Sequence, residues 1–237
     1  ARIRLSPADR AAGYGQHRTR KWGFSIDNKW GWFLMELPTM LYVPLFFISE
    51  GKKNLVPRIF MMIFLVHYIH RTFIFPLLIK GKDKMPFIII LMGAIFNFIN
   101  TYLQVRWTAH FAYIYGNGYA KVWVISPQFI IGLMIFVFGF YINIRSDAII
   151  RKLRESDDEQ YHIPHGFMFK YVSCPNYLGE MVEWLGWAIL TFSISGLIFF
   201  IWTFANLAPR AISNHKWYKK TFPEYPKDRK AFIPFIW

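Results

Sequence analysis

The sequence predicts an all-α fold, a polytopic bundle of transmembrane helices that forms a single domain over residues 1–237. Of the 237 residues, 54% are hydrophobic and 20% aromatic, and the mean hydropathy is +0.24. A soluble domain of this length is rarely so apolar. The apolar residues lie in long runs and most basic residues lie between the runs, an arrangement typical of a membrane protein.

Five apolar runs define the predicted helices. They approach or exceed the ~20 residues that cross a bilayer, and they lie near 31–49, 57–79, 86–105, 127–144 and 177–210. The fifth run is too long for one ordinary span, and we interpret it as two short helices broken at "SISG" (193–196). The sequence therefore predicts about six spans.

The distribution of lysine and arginine favours this six-span arrangement. It puts 22 of the 28 basic residues on one side of the membrane and 5 on the other, with Arg71 inside a span. Reading the last run as one span would move seven C-terminal basic residues across and leave 15 against 12. The positive-inside rule prefers the first arrangement, so we expect the loops 80–85, 145–175 and 209–237 on the cytoplasmic side.

The net charge of +14 is explained by basic residues that flank the predicted spans. Basic residues that flank apolar spans orient the chain and contact anionic lipid, so we expect a bilayer and no nucleic acid as partner. The membrane would be a bacterial inner membrane or, in a eukaryote, the endoplasmic reticulum. The single cysteine, Cys174, rules out an internal disulfide.

Ionisable side chains interrupt the predicted spans, namely Glu36, His67, His70, Arg71, Glu180 and Glu183. A charge at bilayer depth costs ~2.5–3.5 kcal/mol, so such groups usually face a cavity or a partner. Helical spacing places His67 and Tyr68 beside Arg71 in one polar stripe. Two interpretations stay open. Tyrosines can be interfacial anchors and His–Glu pairs can simply join helices, whereas polar groups converging in an apolar bundle form a ligand pocket.

The segment 141–180 differs from the rest in composition. Between 145 and 175 it carries five basic and five acidic residues. Asn and Asp side chains can bind ribose or amide groups, and Arg can hold phosphate. Neither G-x-G-x-x-G nor G-x-x-x-x-G-K-[ST] occurs, so neither a Rossmann domain nor a P-loop is supported. The spacing of His162, His165 and Cys174 fits no standard zinc pattern, and we expect no metal.

Five motifs together resemble the steroid 5-alpha-reductases, over nearly the whole chain from Gly13 to Trp237. They are "ELP", "VHYIHR", "INIRSD", "YHIPHGFMFKYVSCPNYLGEMVEWLGWA" and "YPKDRKAFIPFIW". The resemblance implies a membrane enzyme that reduces the C4–C5 double bond of 3-oxo-Δ4-steroids with NADPH. We expect this chain to be a bacterial-type homologue of that family. It also implies seven membrane helices, with the first one missing ahead of "GYGQH", and a cofactor bound from the cytosolic side. We expect a monomer.

The resemblance assigns roles residue by residue. Glu36 and Tyr68 match the pair that contacts the steroid carbonyl, and Arg71 is expected on the substrate side with them. The cofactor-binding residues that it implies are Asn143, Asp147, Arg154, Tyr161, Asn176, Glu180, Arg210, Asn214 and Tyr218. The chain departs from animal relatives at Arg145 and Asn214, where those relatives have histidine.

These roles fit the chemistry of an enone. Hydride attack on the β-carbon requires that negative charge on the carbonyl oxygen be stabilised, and donors held in a dry cavity do this best. An apolar environment favours the neutral form of a carboxyl group, so Glu36 could donate beside Tyr68. The alternatives are a related enoyl-lipid reductase or isoprenylcysteine methyltransferase, and a non-enzymatic lipid-binding or transport protein. No inverted repeat that would favour transport is evident.

Overall fold

The computed structural model describes residues 23–49, 55–79, 83–114, 118–153 and 162–236, and the described chain is almost entirely helical. It contains six long helices, which are α1 Asn28–Ser49, α2 Leu55–Leu78, α3 Phe87–Ile114, α4 Pro127–Leu153, α5 Pro175–Thr191 and α6 Ile194–Thr221. Two strands, β1 Ser25–Asp27 and β2 Lys84–Pro86, pair antiparallel and join the start of α1 to the start of α3. The prediction of an all-α helical bundle is confirmed.

Four of these helices are long and apolar enough to cross a membrane: α2, α3, α4 and α6, with mean hydropathies of 1.5, 1.7, 1.8 and 1.2. The helix α1 has 22 residues, and α5 has 17. The expectation of about six spans therefore stays a prediction, of which four are supported by length and composition within the described residues.

The last apolar run is divided at the predicted point. Helix α5 ends at Thr191, where the next residue, Phe192, adopts a left-handed backbone with φ 45°. Ser193 then caps α6 because its Oγ accepts a hydrogen bond from the backbone N–H of Gly196 at 3.0 Å. The prediction of two short helices was wrong for the second one. Helix α6 has 28 residues and continues to Thr221, so the start of the predicted loop 209–237 is helical.

Helices α4 and α5 pack with their backbones in contact. Glycines two helical turns apart make this possible, at 132 and 139 on α4 and at 179 and 186 on α5. A Cβ added at Gly139 would lie 2.6 Å from the carbonyl oxygen of Gly179, and one at Gly186 would lie 2.7 Å from that of Gly132. Small residues allow such close helix contacts in membranes. The contact brings the C-terminal half of α4 against the N-terminal half of α5.

An aromatic core fills the space between α2, α4 and α5. Phe60 and Phe64 of α2 are fully buried, as are Trp184 and Trp187 of α5 at 1% and 0% exposure. Phe64 lies 5.0 Å from Trp187 between ring centroids. These closely packed aromatic side chains hold α2 in place and with it the polar residues that the same helix carries.

The C-terminal tail docks on the segment before α5. Lys230 pairs with Val172 in an isolated parallel bridge. The Oγ of Ser173 lies 2.6 Å from Nδ1 of His215 and 2.6 Å from the hydroxyl of Tyr225. The neighbouring Cys174 is buried, and burial raises the pKa of its thiol to about 12. Residues 225–236 are thereby held against the base of α5 and α6.

Candidate active site

Glu36 and Tyr68, the predicted catalytic pair, meet through a third side chain. Tyr68 on α2 donates its hydroxyl proton to Oδ1 of Asn97 on α3 at 3.2 Å. The Nδ2 of Asn97 donates to Oε2 of Glu36 on α1 at 2.8 Å. All three residues are buried, with 7% or less of their surface exposed. Three helices thus contribute one polar group each to a single buried cluster.

Helix α3 carries a row of amides that the sequence analysis missed. Asn97, Asn100 and Gln104 follow at intervals of three and four residues, so they lie on one helical face. Asn100 donates to the Tyr68 hydroxyl at 3.4 Å, and Gln104 donates to Oδ1 of Asn100 at 3.1 Å. Trp187 of α5 donates through Nε1 to Oε1 of Gln104 at 2.9 Å. Three amides at helical spacing inside an apolar run were the signal that could have revealed this row.

A cavity of about 610 Å³ opens between α3 and α6 beside this row. Its polar lining residues are Asn100, Gln104 and Ser195. Its apolar lining residues are Phe96, Ile99, Leu103, Trp107, Phe111, Ile194, Ile198, Phe199 and Trp202. Tyr68 and Glu36 are not lining residues, and Asn100 is the link between the cavity and the Tyr68 hydroxyl. The volume falls within the ~300–1,000 Å³ typical of small-molecule pockets.

A second buried cluster surrounds Arg71, on the cytoplasmic side of Tyr68 in the predicted topology. Its Nη1 lies 3.5 Å from Oδ2 of Asp147 on α4, and its Nη2 lies 3.5 Å from Oε2 of Glu180 on α5. The guanidinium carbon lies 4.6 Å from the ring centroid of Trp32 and 4.8 Å from that of Phe75. Arg71, expected on the substrate side, therefore contacts two of the residues expected to bind the cofactor.

The amides of α4 and α5 complete this second cluster. Asn143 donates through Nδ2 to the backbone carbonyl of Asn176 at 2.9 Å. Asn176 in turn donates through Nδ2 to Oδ1 of Asp147 at 3.1 Å. The Oδ1 of Asn143 is buried and has no hydrogen-bond partner in the described structure. Four of the predicted cofactor-binding residues thus lie in one connected cluster, in which Asp147 and Glu180 contact the Arg71 guanidinium and Asn143 and Asn176 are linked to Asp147.

The polar side chains of α2 diverge toward different neighbours. His67 lies against α5, with Nδ1 at 2.9 Å from Oε1 of Glu183, whereas Tyr68 faces α3. A π-helical turn, His70–Ile74, follows at once and contains Arg71. Such i→i+5 turns occur frequently at functional sites. The contact between His67 and Glu183 joins α2 to α5, as expected of a His–Glu pair that holds two helices together. Tyr68 and Arg71, in contrast, belong to two different buried clusters.

The remaining predicted cofactor residues lie on α6 or outside the described chain. Arg210, Asn214 and Tyr218 follow at intervals of four on α6. Asn214 donates to the Sγ of Cys174 at 3.6 Å, and the ring of Tyr218 stacks on that of Tyr225 with centroids 5.3 Å apart. The residues Arg154 and Tyr161, like the "GYGQH" motif at 13–17, lie outside the described residues.

The described helices, with two polar clusters inside an apolar bundle, define a polytopic membrane protein with an internal site. The family model for 3-oxo-5-alpha-steroid 4-dehydrogenase matches residues 83–237. The chain is 42% identical over 235 residues to steroid 5-alpha-reductase DET2 of Arabidopsis thaliana, covering 95% of this chain and 88% of the relative. It is 40% identical over 227 residues to 3-oxo-5-alpha-steroid 4-dehydrogenase 1 of Homo sapiens, covering 94% and 85%.

The chain therefore belongs to the steroid 5-alpha-reductase family, whose members are oxidoreductases that act on CH–CH bonds. A further relative, 3-oxo-5-alpha-steroid 4-dehydrogenase 1 of Rattus norvegicus, is 37% identical over 226 residues, with 94% of this chain and 85% of the relative covered. The aligned regions cover 94–95% of this chain. The likeness to plant and animal proteins therefore includes both buried clusters.

Proposed function

We propose that this protein reduces the C4–C5 double bond of a 3-oxo-Δ4-steroid, with NADPH as the hydride donor. Membership of the family supports the reaction class. The observation that carries the proposal is the convergence of Glu36 and Tyr68 on one buried amide, next to an apolar cavity. An apolar cavity with few polar groups suits a rigid, largely hydrocarbon substrate.

The residues of the Arg71 cluster fit NADPH. The unpartnered Oδ1 of Asn143 is a buried acceptor that a nicotinamide carboxamide could satisfy, since an orphaned buried acceptor costs free energy. The carboxylates of Asp147 and Glu180 can accept from ribose hydroxyls. The arginines of the cytoplasmic segments, Arg154 and Arg210 among them, would hold phosphates. When bound, NADPH supplies the hydride that is added to C5.

Tyr68 and Glu36 are the groups that polarise the substrate in this proposal. The C3 carbonyl oxygen gains negative charge as C5 accepts hydride, and hydrogen bonds from the Tyr68 hydroxyl and from a neutral Glu36 carboxyl stabilise that charge. The enolate then takes up a proton from solvent at C4, which completes the reduction of the double bond. Both donors are buried, so no reorganisation of water opposes the change in charge. Asn100 donates to the Tyr68 oxygen, which strengthens the Tyr68 hydroxyl as a donor to the substrate.

The membrane arrangement is part of the same proposal. A steroid dissolved in the bilayer would enter the cavity between α3 and α6 laterally, because exposed apolar side chains flank both helices. NADPH would approach from the cytoplasm, since 22 basic residues lie on that side in the predicted topology and attract a polyanion. A monomer suffices because one chain contributes both clusters.

The test combines cofactor binding with turnover in detergent. NADPH should bind and S-adenosylmethionine should not, which separates a reductase from a methyltransferase. Tyr68→Phe should retain NADPH affinity but lower turnover by ~10²–10³, the scale of losing one oxyanion-type donor. Tyr119→Phe is the matched control, because that buried hydroxyl donates to the Thr191 carbonyl at 2.7 Å, away from both clusters. Near-normal turnover in Tyr68→Phe would remove Tyr68 from the reaction.

A further inference from the structure

We propose that Asn97 is a positioning residue of this reaction, which sets the separation of Tyr68 and Glu36 and determines which Glu36 oxygen can donate. The inference rests on the proposed reduction and adds a residue to it. Asn97 is buried on α3, with 6% of its surface exposed, and it is not a lining residue of the cavity. Its amide nitrogen and oxygen are both engaged by protein groups, so it would act through Tyr68 and Glu36 and not on the steroid.

The orientation of the Asn97 amide follows from its partners. Nδ2 donates to the backbone carbonyl of Met35 at 2.9 Å and to Oε2 of Glu36 at 2.8 Å. A backbone carbonyl can only accept, so the nitrogen of the amide must face Met35. The oxygen then faces Tyr68, whose hydroxyl donates to it at 3.2 Å. Both N–H bonds are used, and rotating the amide by 180° would break all three contacts.

This fixed amide constrains Glu36. Because Asn97 donates to Oε2, that oxygen serves as an acceptor, and a neutral Glu36 carries its proton on Oε1. The acidic proton is thereby confined to Oε1. Without the Asn97 donor, either oxygen could carry the proton, and a fraction of the molecules would present an acceptor to the substrate carbonyl.

The same amide constrains Tyr68. The hydroxyl donates to Asn97 and accepts from Asn100, so its oxygen is held by two residues of one helix. The substrate carbonyl would replace Oδ1 of Asn97 as the acceptor of the Tyr68 proton. Asn97 thus keeps Tyr68 near the reacting position before the steroid arrives, which lowers the ordering needed on binding.

Two variants of Asn97 test the role. Asn97→Leu should lower kcat by about 10- to 100-fold, the effect of misplacing a catalytic group by about 1 Å, while the NADPH dissociation constant stays unchanged. Asn97→Asp keeps an acceptor for Tyr68 but places a second carboxyl beside Glu36. Two adjacent carboxyl groups tend to share one proton, so its activity should fall at neutral pH and recover as the pH is lowered. Arg71 and Glu180, the charged groups that act on Glu36, are unchanged in both variants.

A matched control separates positioning from packing. Thr101→Val removes a buried hydrogen bond between the same two helices, since Thr101 Oγ1 lies 2.7 Å from Thr39 Oγ1. It should retain kcat within about threefold, the spread expected for a lost neutral hydrogen bond, because Asn97 keeps its own bonds to Tyr68 and Glu36. Asn97→Leu should also cost less in a Tyr68→Phe background than in the wild type, because the two residues act as a unit.

The outcomes distinguish this inference from the proposed function. If the wild type reduces no 3-oxo-Δ4-steroid, the proposed function fails. If the wild type is active and Tyr68→Phe is impaired, but Asn97→Leu turns over like Thr101→Val, only the role of Asn97 fails. Should Asn97→Leu not fold, the pH profile of Asn97→Asp decides, and a profile parallel to that of the wild type overturns the inference.

Discussion

Replacing Arg71 by methionine should destabilise the folded protein by about 3–5 kcal/mol, the cost of removing one partner from a buried ion pair. Each of its two carboxylate partners, Asp147 and Glu180, lies 3.5 Å from a guanidinium nitrogen. At an effective dielectric constant of about 20, each contact is worth roughly 5 kcal/mol of Coulomb attraction. Desolvation of the three charges offsets most of this sum, but removing the cation alone leaves the buried Asp147 and the partly exposed Glu180 without their positive partner.

The single cysteine provides the assay for this prediction. Burial raises the pKa of the Cys174 thiol to about 12, so a thiol-reactive fluorophore should label the chain only as it unfolds. A loss of 3–5 kcal/mol should lower the unfolding midpoint by about 6–20 °C for a chain of this length. Adding Asp147→Asn and Glu180→Gln to Arg71→Met should recover most of the loss. An unchanged midpoint in Arg71→Met, or a triple variant no more stable than the single one, would show that the Arg71 ion pairs do not stabilise the folded protein.

Three further predictions follow. Gly139→Ala should destabilise the chain by about 1–3 kcal/mol, because the new Cβ would lie 2.6 Å from the Gly179 carbonyl oxygen. Gly93→Ala is the control, since there only the flexible side chain of Met35 must move. Equal unfolding midpoints of the two variants would contradict this prediction. Arg154→Ala should weaken NADPH by roughly 1.5–3 kcal/mol at fixed salt with little effect on steroid affinity, and equal dissociation constants would show that its charge only orients the chain. A cysteine placed at Lys227 should react with an impermeant reagent from the cytoplasmic face, and labelling from the outer face alone would overturn the charge-based topology.

Hydropathy and charge were sufficient to predict the helices. The apolar runs of the sequence correspond to α1–α6, and the break near Ser193 follows from a run too long for one span. The extent of α6 was not predictable by the same means. Its last turns are polar and basic, yet they remain helical because Ala211 and its neighbours pack on the docked C-terminal tail.

The contacts of the candidate site were only partly accessible from the sequence. Glu36 and Tyr68 were identifiable because a buried carboxyl group and a tyrosine are unusual in apolar spans, and because the surrounding motifs resemble a known family. Asn97 was missed although it belongs to a row of three amides at helical spacing, because its partners Glu36 and Tyr68 lie 61 and 29 residues away in the sequence. The π-helical turn His70–Ile74 was missed for a related reason, because tertiary packing and not local propensity determines it.

Every role proposed for these residues depends on the reaction itself. The decisive measurement is incubation of the purified protein with a 3-oxo-Δ4-steroid and NADPH that carries deuterium at both C4 positions of the nicotinamide, followed by mass spectrometry and NMR of the steroid. The proposed reaction yields a 5α-dihydro product that carries one deuterium at C5, together with stoichiometric oxidation of NADPH. Recovery of the unreduced steroid from a protein that binds both NADPH and the steroid would contradict it.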